Sequence, residues 1–181
     1  MKNNNYTRWI VLIGVSIIMA SSYFFYDVLA PLQSLLREKL NFTNTEYGLL
    51  MGVYSVPNLF MTIIGGIILD RFGIRITGLI FIFLMAIGSL LTYYGTTDYF
   101  LNGGMGFEFF NSFLKNHSPS FKIMVLGFFL FGLGAETSIV VITKIIVEWF
   151  KNKALALALG INISLARLGT VAALFYSREF S

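Results

Sequence analysis

The chain has no cysteine, one histidine and three prolines, and it is poor in charge: 13 Lys and Arg and 9 Asp and Glu make 12% of 181 residues. Without cysteine there is no disulfide framework and no thiolate metal site. The lone His117 sits in a polar stretch and cannot build a metal centre, so neither a metal nor a cofactor is expected. Soluble domains carry about 25% charged residues, which places this chain in the bilayer. Its net charge of +4 is scattered rather than gathered on one face, and this excludes nucleic acid as a partner. No nucleophile–base pair and no phosphate-cradling loop can be found, so no catalytic residue is assigned and an enzyme is not expected. What the chain has in excess is apolar surface: 56% of residues are hydrophobic, including 19 Phe and 9 Tyr. Those aromatics suit lipid contact and interfacial belts.

A membrane-spanning helix needs about 20 mostly apolar residues. Five segments qualify, at 9–32, 47–69, 76–97, 123–150 and 154–177. The expected fold class is therefore an all-α integral membrane bundle in a single domain covering 1–181. The start, "MKNNNYTRWIVLIGVSIIMASS", imitates a signal peptide, but the apolar run continues through "YFFY" and four more spans follow. Short connections on the N-terminal side hold Lys2, Arg8, Arg71, Arg75, Lys151 and Lys153. Positive charge crowded into short loops marks the cytoplasmic side, so the N-terminus is expected there. Arg37, Lys39, Lys115, Lys122 and Arg178 then fall outside, with the two longer loops, 33–46 and 98–121. The second loop carries "FEFFNSFLK", apolar at helical spacing, which fits a helix along the membrane surface and equally a plain loop insertion. The tripeptides at 41–43 and 116–118 are glycosylation sequons, relevant only in a eukaryote.

Two charges interrupt the last two spans. Fifteen residues lead from Glu136 to Lys151 and fourteen from Lys153 to Arg167. At 1.5 Å per residue both sit about 21–23 Å in from one membrane surface. The short turn between the spans makes them antiparallel neighbours, so opposite charges occupy matched depth. Each alone would cost about 2.5–3.5 kcal/mol to insert. Three roles stay open: a structural ion pair, a site for a zwitterionic or charged solute, and a proton relay through Glu136. Thr137, Ser138, Asn162 and Ser164 make the surroundings polar, and Ala156, Gly160, Ser164 and Arg167 share one helical face. Small residues let another backbone approach closely. Asp27 follows "YFFY" near the end of the first span, where it meets water or joins the site. Pro57, midway along the second span, should kink it. Lys144 and Glu148, four apart, read as a helix-surface pair or a snorkelling lysine.

The most specific stretch is "GGIILDRFGIR". Gly66, Asp70, Arg71, Gly73 and Arg75 resemble the signature loop of the major facilitator superfamily, G-x-L-x-D-R-x-G-R-[RK], with Ile68 and Ile74 as departures. The glycines permit a sharp turn, and Asp70 with Arg71 and Arg75 can form a charge cluster that gates one face. "SYFFYDVLAPLQ", "YSVPN", "GLGAETS" and "EWFKNKALALALGINISLARLG" occur in the order and spacing of one branch of that superfamily, lysosomal dipeptide transporters and their microbial relatives. The resemblance implies a multi-pass secondary transporter working by alternating access. Its site would take a dipeptide between Glu136, for the ammonium, and Arg167, for the carboxylate; Asp27 and Asn162, polar residues of the first and last spans, stand as further candidates from the sequence itself. It implies a lysosomal membrane in an animal and a cell membrane in a microbe. It also implies a sixth span and a second half on a continuation of the same protein. By that reckoning these 181 residues would not transport alone. Expected partners are thus the lipid bilayer, a small zwitterionic solute and that C-terminal half; an accessory subunit stays open. Another zwitterion or an organic anion as cargo, or a non-transporting scaffold, are the alternatives.

Overall fold

A computed structural model describes residues 5–151 and 154–177. Of the basic residues used to orient the chain, Lys2, Lys153 and Arg178 lie outside them. Every regular element among the described residues is a helix: α1 (Asn5–Val28), α2 (Gln33–Leu40), α3 (Asn44–Val53), α4 (Ser55–Tyr94), α5 (Asp98–Leu101), α6 (Phe107–Ser112), α7 (Pro119–Phe150) and α8 (Leu155–Ser177). The all-α membrane class expected from the sequence is what the structure has. Four stretches, Tyr6–Val28, Asn44–Tyr94, Pro119–Phe150 and Leu155–Tyr176, are long and apolar enough to cross a bilayer. Their outward residues are themselves apolar, among them Ile63, Leu79, Phe83 and Leu168. That inverted surface is stable only in lipid.

Two breaks shape the long apolar stretch from 44 to 94. The first falls at Tyr54, between α3 and α4, with Pro57 in the first turn of α4. Proline has no N–H to return to the carbonyl of Val53, so that position favours a helix start. The second is Gly73, whose φ of 78° and ψ of 168° interrupt α4. Glycine takes such angles at little cost, and the chain reverses there. The two legs, 55–72 and 74–94, both lie on α7. Gly132 abuts Tyr54 and Pro57, and Gly65 abuts Thr137, so the first leg runs parallel to α7. Gly78 meets Val141, Gly134 meets Phe81 and Met85, and Gly127 meets Gly88 and Thr92, so the second runs antiparallel.

α7 is the central helix: 61% of its apolar window is buried, against 17–22% for the other three stretches. α1 crosses it antiparallel, with Trp9 against Phe150 (5.2 Å) at one end and Phe25 against Phe131 (4.6 Å) toward the other. α8 runs parallel to α1, held by Asn162 on Ser16 and by Gly169 against the Ala20 carbonyl. The bundle thus has a motif end, with residues 70–75 and the α7–α8 turn, and a loop end, with α2, α5 and α6. At the loop end Thr43 and Glu46 form a capping box on α3. The second oxygen of Glu46 meets His117 Nδ1 at 2.8 Å, tying the starts of α3 and α7 together.

Candidate functional site

The "YFFY" run of α1 presents Tyr23 and Tyr26 to the bundle, while the break before Pro57 leaves Tyr54 at a helix junction. Tyr26 and Tyr54 pack ring to ring at 4.4 Å, and Tyr54 also contacts Phe128 and Phe131 of α7 (5.8 and 5.9 Å). The Tyr54 side chain lies within electrostatic reach of the carboxylate of Glu136, which is half-buried on α7. Tyr54 lies within electrostatic reach of Tyr23. The Arg167 guanidinium stands over the Tyr23 ring, 5.2 Å from its centre. Glu136, Tyr54, Tyr23 and Arg167 thus share one neighbourhood of the bundle.

Among the described residues Glu136 and Arg167 form no ion pair with each other; the pairs present are Lys144–Asp70 and His117–Glu46. Arg167 is thus backed by a phenol ring and Glu136 has Tyr54 for a neighbour, and neither is in an ion pair among the described residues. Arg167 is exposed on α8, on one face with Ala156, Gly160 and Ser164, and a Cβ on Gly160 would touch nothing. The seam leading to the arginine is open.

The other residues singled out from the sequence fall into two groups. Asp27 lies half-buried next to Tyr26, at the edge of the tyrosine cluster. Asn162 is buried, its Nδ2 donating to Ser16 Oγ at 2.9 Å across the α1–α8 contact. Thr137 is buried against Gly65, its hydroxyl returned to the Leu133 carbonyl. Pro57 packs against Gly132. At the motif end, Asp70 Oδ1 accepts from Lys144 Nζ at 2.7 Å, so its direct partner is a lysine of α7. Arg71 instead leans on Phe72, and Arg75 borders a cavity of about 230 Å³ between α1, α4 and α7. Gly73 makes the turn, and Gly66 has open space around it.

Four residues of these sites escaped the sequence. Tyr23 and Tyr26 fell among the aromatics read as lipid-contact or belt residues, and Tyr54 drew no reading of its own. Lys144 read as paired with Glu148 or reaching for water, yet it reaches a turn 74 residues earlier in the chain. The one available signal was a tyrosine three residues before the proline of an apolar helix.

Comparison with known proteins bears on this arrangement. The family model described as Major Facilitator Superfamily matches residues 15–177. The lysosomal dipeptide transporters MFSD1 of Danio rerio and Mus musculus are each 35% identical over 164 residues, and that of Homo sapiens is 34% identical over the same length. Each match covers 90% of this chain and 31% of the relative, so the chain spans about a third of the length of those curated relatives. No solved structure matches. With the glycine-broken "LDRFGIR" turn, the α1–α8 and α4–α7 packing and this match in view, the chain belongs to the major facilitator superfamily.

Proposed function

We propose that the chain supplies part of the solute site of a secondary transporter for short zwitterionic peptides, dipeptides first. The carrying observation is that Glu136 and Arg167 lie by one aromatic cluster, Tyr54 near the first and Tyr23 under the second, with no ion pair between them among the described residues. A zwitterion bridges such a pair: its ammonium replaces the missing cation at Glu136, and its carboxylate accepts the guanidinium fork of Arg167. The aromatic rings between them suit the side chains of a peptide, and Asp27 at the cluster's edge adds acceptor capacity toward the ammonium. Asn162, through Ser16, sets the height of α8 and so of Arg167. The name printed for the 34–35% identical relatives, lysosomal dipeptide transporter, supports this cargo. In this reading the turn Gly66–Arg75 is the gating element, its end of the bundle is cytoplasmic, and the membrane is lysosomal in an animal or the cell membrane in a microbe.

The test is thermal stability of the full-length protein with free dipeptides, single amino acids and end-blocked dipeptides. A ligand bound only to the native state at a hundred times its Kd stabilises by about 2.7 kcal/mol. Free dipeptides should raise the melting temperature. Blocking either terminus, or making Glu136→Gln or Arg167→Ala, should abolish the rise. Equal shifts with blocked and free peptides would remove the two charges from the site.

A further inference from the structure

The segment between α4 and α7 builds a small aromatic body beside the bundle. Phe100 is fully buried at its centre, with Phe107 and Phe110 of α6 against it at 5.7 and 6.4 Å. One turn into α7, Lys122 is only 7% exposed; its ammonium donates to the carbonyls of Phe110 and Phe113 and lies over the Phe113 ring. The last carbonyls of a helix need partners, and in water solvent would serve them and would hydrate the lysine too. Here both needs are met internally, as a site excluded from water requires.

Depth can be read from α7. Its 32 residues span about 48 Å at 1.5 Å each, well beyond a hydrocarbon core of about 30 Å. Sharing the excess between the two ends leaves about six residues at the start of α7 above the core. The hydrocarbon boundary then falls near Val125. α6 flanks that level: a groove of about 390 Å³ runs between Phe109, Phe113 and Leu114 on one side and Val125, Leu126 and Phe129 of α7 on the other. The groove continues onto the outward face of α7, where Leu126 is exposed. Beside it Met105, Phe109 and Leu114 stand 81%, 67% and 65% exposed. Glu108, Asn111 and Ser112 occupy the opposite arc of the same helical turns, the division seen in helices that lie in a membrane interface.

We propose that residues 99–114 form an interfacial foot. Met105, Phe109 and Leu114 dip into the leaflet at the loop end, and acyl chains of that leaflet fill the groove between α6 and α7. The partner is the bilayer itself, because the groove opens sideways at the level where lipid begins and is continuous with the lipid-facing surface of α7.

Spin labels on single cysteines test this in the full-length protein, with its other cysteines removed, reconstituted in phosphatidylcholine vesicles. Oxygen concentrates in the bilayer and a nickel chelate stays in water. Phe109→Cys and Leu114→Cys should carry labels open to oxygen and shielded from nickel, as at the lipid-facing control Leu79→Cys. Glu108→Cys and Asn111→Cys should show the reverse, with an oxygen-to-nickel ratio several-fold lower. All four are exposed positions, where a label disturbs packing least. Nickel access at 109 and 114 would make the segment an aqueous loop and overturn the proposal. Shielding from both reagents would show protein there, a second copy or another segment, and would overturn it equally.

Discussion

Tyr54 has two separable parts, since its ring packs on Tyr26, Phe128 and Phe131 while its hydroxyl lies within electrostatic reach of Glu136. Tyr54→Phe keeps the packing and removes only the hydroxyl and whatever hydrogen bond it makes. Side-chain hydrogen bonds inside membrane proteins are worth about 0.6 kcal/mol on average, rising to about 1.7. The variant should therefore melt slightly lower than the parent, by no more than that range allows. The thermal shift produced by a free dipeptide should change more than the melting point of the unliganded protein. A fall in baseline stability with an unaltered ligand shift would confine Tyr54 to a structural role. Lys144 makes the complementary point. Its pair with Asp70 is exposed, and exposed pairs stabilise little. Its interest lies in where it places the motif carboxylate, against α7.

For whole helices, backbone proximity outweighs side-chain chemistry. A Cβ added at Gly88 would collide with the backbone of α7 at Gly127 and Phe131, and one at Gly169 with the Ala20 carbonyl of α1. Around Gly48 and Gly160 there is nothing within 4 Å. Overpacking a tight contact costs about 1–3 kcal/mol. Gly88→Ala and Gly169→Ala should each lower the melting temperature in detergent clearly, whereas Gly48→Ala and Gly160→Ala should leave it near the parent's. Equal effects at all four would mean that helix propensity, not close packing, governs these positions. In the sequence, the Ala156–Arg167 face read as a seam for another backbone. That face is open at Gly160 in the structure, while close backbone approaches fall at glycines such as Gly88 and Gly169, whose packing the sequence did not single out. Spacing shows which residues share a helix face, but it does not show which face meets a neighbour.

Across the molecule, α1 with α8 and α4 with α7 make the most extensive interfaces, and the aromatic cluster joins one pair to the other. Phe131, on α7, is fully buried between Phe25 of α1, Tyr54 and Phe128. Truncating a buried phenylalanine costs about 3–5 kcal/mol. Phe131→Ala should therefore separate the two pairs as well as destabilise them. Denaturant unfolding followed by probes on α8 and on α4 should split into two transitions where the parent shows one. A single, merely shifted transition would show that the pairs stay coupled through other contacts.

The sequence by itself determined the bilayer as solvent, the helical class and the sharp turn at Gly73. Each follows from composition or from a few adjacent residues: too few charges for water, apolar runs long enough to span, and a glycine free to take a positive φ. It also brought Glu136 and Arg167 to notice, because charge in an apolar run is conspicuous anywhere. Only the tertiary structure decided the partners. Asn162 is held by Ser16, 146 residues away, and Asp70 by Lys144, 74 residues away; Glu136 comes within electrostatic reach of a tyrosine at a helix break. Those pairings depend on how two helices are rotated toward each other, which is settled by the summed packing of many small side chains along α7 and leaves no trace at the residues that finally meet.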